Sequence, residues 1–260
     1  MAAPRIPITT MTTAEPGRCA AALYRLLAWL SPSFPVGGFS YSHGLEAAAA
    51  SGTVHDRATL HAWIAAIITR GSGRVDADIL SQAYRAARAG DEAGIDAADW
   101  RGLAFRATAE LALETTQQGE AFLNTCLAAW PEPFLAHWAA PHPDPLPAGE
   151  EREKAAAPFA SGVCHSAVFG VAAARAGIAL DDALLGYLQA FAANLMSAGL
   201  RLGLIGQTDG QRILVALEPV VARAAAAAIV RDPADFGAAT FAVDLASMAH
   251  ETQYSRLFRS

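Results

Sequence analysis

The chain has 260 residues, of which 53% are hydrophobic and 17% charged, and a formal net charge of −6, which favours a folded globular protein over a disordered one. Its 19 basic residues are scattered and the only lysine is Lys154, which excludes both a nucleic-acid-binding stripe and a P-loop nucleotide site. Three distant cysteines, Cys19, Cys126 and Cys164, exclude a disulfide framework and a zinc knuckle and favour a reducing, cytoplasmic location.

The chain begins with residues 1–17, which are rich in Thr, Pro and Ala without helical periodicity and are predicted to form a flexible leader. From residue 18 to 260, apolar residues recur at three- and four-residue steps. This pattern predicts one all-α, helical-bundle-like domain of about eight to ten helices. The predicted helices cover residues 20–30, 57–69, 75–89, 97–116, 120–129 and 181–200, with a further helix after Gly37 and Gly38 and a turn at Asp209 and Gly210.

Residues 141–158 interrupt the helical pattern with five prolines and the charge run at 150–154, which predicts a long Pro-rich surface loop inserted in the domain. The longest apolar stretch, residues 184–200, contains Gln189 and Asn194 and is shorter than a bilayer span. No export signal is evident before residue 30. The sequence therefore predicts no membrane partner.

Three short motifs resemble catalytic or metal-binding patterns but lack an essential residue. Residues 38–42 begin like a nucleophile elbow and end in Ser instead of Gly. Residues 250–254 begin like a zinc-binding H-E-x-x-H motif and end in Tyr. Cys164 and His165 are adjacent, so their side chains diverge on a helix, and we interpret them as a packed cysteine beside a surface histidine.

Glu110 and Glu114 lie one helical turn apart and share a face, which could serve acid–base chemistry or bind a hard metal ion. Such a pair is more often a solvated or partner-binding face. With His43 and His250 it defines the alternative interpretation of the chain, a helical metal-dependent hydrolase.

Three segments, residues 30–46, 206–214 and 247–260, match a known family pattern. The first contains S-P-x-F-P-x-G-x-F-x-x-S-x-G-L-E, the second Q-x-D-x-Q-x-x-L, and the third ends in H-E-T-Q-Y-S-R-L-F-R-S. Together they resemble the signature segments of the UreF family of urease accessory proteins. The resemblance extends from about Ala21 to Ser260, and it departs from the family at Gln118, where methionine is common, and at the loop.

The resemblance implies a non-enzymatic, cytoplasmic factor required for maturation of urease. A protein of this family is expected to bind the UreD/UreH accessory protein, to recruit the UreG GTPase, and to form a homodimer that supports nickel insertion into the urease apoprotein. No tightly bound cofactor is expected in this chain, because the complex handles the nickel. Without a P-loop, any effect on nucleotide hydrolysis must act through the GTPase partner.

The candidate partner-binding residues lie in the three signature segments, and the residue types in the tail, aromatic and arginine, are favoured at interface centres. They are Phe34, Phe39, Tyr41, His43 and Glu46 in the first segment, Gln207, Asp209 and Gln211 around the predicted turn, and His250, Glu251, Tyr254, Arg256, Phe258 and Arg259 in the tail. We predict that residues 247–260 are a principal docking element for UreD/UreH. An alternative stays open for each of two segments. In the first segment, Phe34 and Phe39 could fill the core instead of contacting a partner. In the tail, Tyr254 and Phe258 could pack inward while Arg256 and Arg259 contact the partner.

Overall fold

The computed structural model describes residues 16–139 and 162–260, with side chains from Ala20 onward. Within these ranges the protein is α-helical without a β-strand, which confirms the predicted all-α class. The helices are α1 (Pro16–Trp29), α2 (Leu45–Ala50), α3 (Arg57–Arg70), α4 (Ser72–Ala89), α5 (Glu92–Ala104), α6 (Ala109–Ala129), α7 (Pro133–Trp138), α8 (His165–Arg175), α9 (Leu180–Arg201), α10 (Gln207–Val230) and α11 (Phe241–Glu251). Short 3-10 helices cover Gly38–Ser40 and Pro233–Asp235.

The centre of the domain is the packing of α4 against α8, with α9 and α10 alongside. Phe169 of α8 is fully buried, as are Ile79 and Leu80 of α4. Gly170 allows the two helices to approach, because a Cβ at this position would come within 2.6 Å of the Leu80 carbonyl oxygen. The apolar faces that the sequence pattern indicates therefore meet in one core.

The predicted helix over residues 97–116 is wrong, because the chain breaks between α5 and α6. Thr108 caps α6, its hydroxyl accepting a hydrogen bond from the N–H of Leu111 at 3.2 Å. In the connection Arg106 turns inward, and its guanidinium donates to Asp76 at 2.6 Å. The segment 120–129, predicted as a separate helix, continues α6.

The predicted turn at Asp209 and Gly210 is also wrong, because both residues lie in the first turn of α10. Asp209 is favourable there, since a carboxylate near a helix N-terminus interacts well with the helix dipole. Gly210 is needed for close packing instead of for a turn, because a Cβ there would lie 2.7 Å from the Met196 sulfur.

By length and composition alone, helices α9 and α10 could each cross a membrane. The stretch 184–200 is by itself shorter than a bilayer span, but it is part of α9, which has 22 residues and is long enough. Half of the most apolar window of α9 is buried inside the domain, against 28% for α10. Helices of a packed core pass the same test, so these two are weak indications of a membrane span. The predicted loop at 141–158 and residues 1–15 of the predicted leader lie outside the described residues.

Candidate partner-docking site

The C-terminal residues lie across the loop that precedes α2. The N–H of Arg259 donates to the carbonyl oxygen of Ser40 at 2.8 Å, and the N–H of Ser42 donates to the carbonyl oxygen of Ser260 at 2.8 Å. Ser42 and Ser260 are 218 positions apart in the chain, and Ser260 is fully buried. The fold therefore joins two of the three signature segments. We call this region the tail site; it comprises residues 38–46, residues 247–260 and the facing part of α6.

Glu46 is the acceptor that fixes the tail backbone. Its Oε1 accepts from the N–H of Leu257 at 2.7 Å, and its Oε2 accepts from the N–H of Phe258 at 2.9 Å. Burial by itself raises the pKa of Glu46, but these two donors and the ring of His250 outweigh burial and hold the pKa below its usual value. The Glu46 carboxylate is therefore ionised at neutral pH and binds the tail in that form.

His250 is fully buried between two carboxylates. Its Nδ1 lies 2.8 Å from Oε2 of Glu110 and its Nε2 lies 3.1 Å from Oε2 of Glu46. Each ring nitrogen thus lies within hydrogen-bond distance of a carboxylate oxygen, so the ring bridges Glu110 and Glu46. The second oxygen of Glu110 accepts from Arg256 at 2.9 Å. His250, Arg256 and the two carboxylates thus join α2, α6, α11 and the tail.

The loop before α2 adopts an unusual backbone that allows this close approach. His43 has φ 54° and Gly44 has φ 71°, both in the left-handed region that favours glycine. A Cβ on Gly44 would lie 2.7 Å from the backbone nitrogen of Ser247, so only glycine lets α11 pass. The His43 Nδ1 lies 3.0 Å from Oε2 of Glu114, close enough for an ion pair, although the angle is not that of a hydrogen bond.

Glu114 also accepts from Gln118 Nε2 at 2.9 Å and from the Ser260 hydroxyl at 3.2 Å. Beside it lies a small polar cavity of about 20 Å³. The His43 ring borders this cavity and packs edge-on against Phe191, with ring centroids 4.9 Å apart. The volume is enough for one water molecule.

The four residues of the hydrolase interpretation, His43, Glu110, Glu114 and His250, therefore do converge. Their carboxylates are already occupied by hydrogen-bond donors and cations of the protein. Among the described residues, no group of three or more His, Cys, Asp or Glu side chains is placed to hold a metal ion. The two glutamates are not a solvated face, since each is less than 10% exposed. The arrangement is a hydrogen-bonded network that stabilises the tail.

The structure divides the candidates of the first segment and the tail into a buried and an exposed set. The buried set is Phe34, Tyr41, His43, Glu46, His250 and Phe258, and the exposed set is Phe39, Glu251, Tyr254, Arg256 and Arg259. Phe34 packs in the core against Phe122, whereas Phe39 is 63% exposed. Phe258 points inward as one alternative expected, but Tyr254 does not, because its side chain is fully exposed.

Gln117 on α6 connects the two sets. Its Oε1 accepts hydrogen bonds from the buried Tyr41 hydroxyl at 2.5 Å and from the exposed Arg259 guanidinium at 3.2 Å. No sequence pattern marks this residue, because a lone glutamine on a helix has no characteristic spacing.

The second signature segment forms a different surface. Asp209 lies 3.4 Å from Arg57 and 2.9 Å from Arg212, and Gln207 and Gln211 are exposed. In the described part of the chain, no hydrogen bond or ion pair joins Gln207, Asp209 or Gln211 to the tail site. The structure therefore brings together two of the three segments and leaves the third at the start of α10.

A second polar network lines the opposite part of the same cavity, and the sequence did not predict it. Arg106 pairs with Asp76 at 2.6 Å and also donates to the Cys164 sulfur at 3.3 Å. His165 is not the surface histidine that was predicted, because its ring packs 5.7 Å from that of Phe122, and burial lowers its pKa to about 4. No spacing rule links positions 76, 106 and 164, so only the fold could reveal this cluster.

Comparison with known proteins identifies relatives over nearly the whole chain. The family model for UreF matches residues 54–218. A urease accessory protein UreF from Granulibacter bethesdensis is 45% identical over 240 residues, which cover 92% of this chain and 94% of the relative. A protein of the same name from Bradyrhizobium diazoefficiens is 44% identical over 257 residues, which cover 96% of this chain and 99% of the relative. Another from Rhodopseudomonas palustris is 42% identical over 260 residues, which cover 100% of both chains.

Proposed function

The chain belongs to the UreF family of urease accessory proteins, and from that premise we propose that its tail site docks the UreD/UreH accessory protein during maturation of urease. A family of accessory proteins agrees with the non-enzymatic role expected from the sequence. The hydrolase interpretation is not favoured, because the relatives are named as accessory proteins and the carboxylates of its residues already have protein partners.

The observation that carries the proposal is the composition of the outward side of the tail site. Phe39, Tyr254 and Leu257 are each more than 60% exposed, and Arg256 and Arg259 extend beside them. Large exposed aromatic and arginine side chains are the types that contribute most to protein interfaces. They stand on a backbone that buried hydrogen bonds hold in place, so little conformational entropy is lost when a partner binds.

We propose further that the complex with UreD/UreH recruits the UreG GTPase and passes nickel to the urease apoprotein, with this chain acting as a cytoplasmic homodimer. Gln207, Asp209 and Gln211 form a separate polar surface at the start of α10, which is available for a second partner of the complex. Nickel is the cargo of that complex, and no resident cofactor is proposed for this chain.

Deleting residues 254–260 does not test docking cleanly. The deletion removes Phe258, which is buried, and the N–H groups that bind the ionised Glu46. Loss of the complex could then follow from unfolding alone. Substitutions on the outward side of the site are the sharper test.

We expect Tyr254→Ala combined with Arg259→Ala to abolish co-purification with UreD/UreH while changing the melting temperature little, because both side chains are exposed. The matched control is Tyr24→Ala on α1, an exposed tyrosine outside the signature segments, which should bind normally. Unchanged binding by the double variant would overturn the docking role of the tail site.

A further inference from the structure

The last residue of α9 contacts both segments of the tail site. The guanidinium carbon of Arg201 lies 3.5 Å from the centroid of the Phe39 ring and 4.2 Å from that of the Phe258 ring. Its Nη1 also donates to the Phe39 carbonyl oxygen. One cation thus connects an exposed aromatic side chain of the first signature segment with a buried one of the tail.

Arg201 has no carboxylate partner among the described residues, although other arginines of the chain do. Its Nη2 is buried without a hydrogen-bond partner, and burial lowers the pKa of the guanidinium. A cation in this position is stabilised by the negative faces of the two rings. If this position served core packing alone, an apolar side chain would be favoured. The presence of a charged, planar arginine at position 201 therefore indicates a role beyond packing.

The backbone of the same loop is held from α9 two turns earlier. Asn194 donates from its amide to the carbonyl oxygen of Gly38 at 2.8 Å. Asn194 and Arg201 are seven residues apart, so they lie on one face of the helix. That face fixes the backbone at Gly38 and both the carbonyl and the ring of Phe39.

We propose that Arg201 is a positioning residue of the docking surface: it holds the exposed Phe39 ring in the orientation that UreD/UreH contacts and couples it to the tail through Phe258. This inference rests on the proposed function. In the free protein the ring is then already ordered, and binding does not have to immobilise it. A positively charged residue at a helix C-terminus is common for its favourable interaction with the helix dipole, so the sequence did not single out Arg201.

A double-mutant cycle tests the coupling. Arg201→Lys keeps the charge but loses the planar group that stacks on aromatic rings. We expect it to weaken binding to purified UreD/UreH by about tenfold, in the range of a cation–π contact. If Arg201 acts through Phe39, the same substitution should have little further effect in the Phe39→Ala background. A purely structural role would reduce binding equally in both backgrounds.

The matched control is Arg175→Lys, because Arg175 lies over the ring of Phe134, 4.8 Å from its centroid, in a contact between α7 and α8. It should leave binding unchanged. If Arg201→Lys does not fold, Phe39→Leu replaces it, since leucine keeps an exposed apolar side chain but has no ring face for the cation; binding should then fall about as far as with Phe39→Ala.

The outcomes separate this inference from the proposed function. Non-additive effects of Arg201→Lys and Phe39→Ala support the positioning role. Additive effects, or normal binding by Arg201→Lys while Phe39→Ala binds weakly, overturn the role of Arg201 and leave the docking surface intact. Normal binding by Phe39→Ala overturns the role of Arg201 even if the Tyr254 and Arg259 double variant binds weakly. Normal binding by that double variant overturns the proposed function, and this inference with it.

Discussion

The tail site and the start of α10 carry similar charged side chains in opposite surroundings. At α10, Asp209 lies 2.9 Å from Arg212, and both side chains are at least 39% exposed. In the tail site, the His250 side chain is fully buried, and those of Glu46 and Glu110 are at most 10% exposed. Removing one partner of a buried charge network costs several times more free energy than removing one partner of an exposed pair.

This difference indicates two separate roles. The buried layer of the tail site holds four segments of the chain together, and its outward side chains stay exposed on a fixed backbone, as the proposed docking role requires. The polar residues at α10 hold little in place, so they can be substituted without loss of the fold. Three predictions test this contrast, from the largest expected effect to the smallest.

The largest effect is expected for Glu46→Ala. The substitution leaves the N–H groups of Leu257 and Phe258 and the Nε2 of His250 without their partner, which should lower the free energy of unfolding by about 3–5 kcal/mol. Urea denaturation followed by circular dichroism measures it. The control is Glu218→Ala, which replaces an exposed glutamate of α10. Equal stability of the two variants would show that the network does not hold the tail.

A smaller effect is expected on acidification. The pKa of Glu46 is lower in the folded protein than in the unfolded chain, so its contribution to stability is complete above the unfolded pKa of about 4.5 and is lost as pH falls through the folded pKa. Unfolding midpoints in urea between pH 7 and pH 3 should therefore fall more steeply for the wild type than for Glu46→Gln. Parallel pH profiles would mean that Glu46 has the same pKa in both states.

The smallest effect is expected for Asp209→Ala at the start of α10. The pairs of Asp209 with Arg57 and Arg212 are exposed, so the free energy of unfolding should change by no more than about 0.5 kcal/mol. The same urea titration detects it. A loss comparable to that of Glu46→Ala would remove the contrast between the two regions.

Local signals in the sequence predicted part of this structure well. The helix predicted over residues 57–69 is observed as Arg57–Arg70, where Asp56 and Thr59 form a capping box. The prediction of one continuous helix over residues 97–116 was wrong. The chain breaks between α5 and α6 because Thr108 caps α6 and because Arg106 contacts Asp76, which is 30 positions away. The prediction of a turn at Asp209 was wrong, because Gly210 allows α10 to pack closely against Met196 and does not form a turn.

The sequence by itself determined the helical class and the family, because apolar periodicity and short motifs are local properties of the chain. Only the tertiary structure decided which charged residues meet. His250 contacts Glu110 and Glu46, which are 140 and 204 positions away, and no local pattern encodes such pairings. Burial then decided their role, since low exposure turns these carboxylates into acceptors for the tail and leaves Phe39 and Tyr254 on the surface.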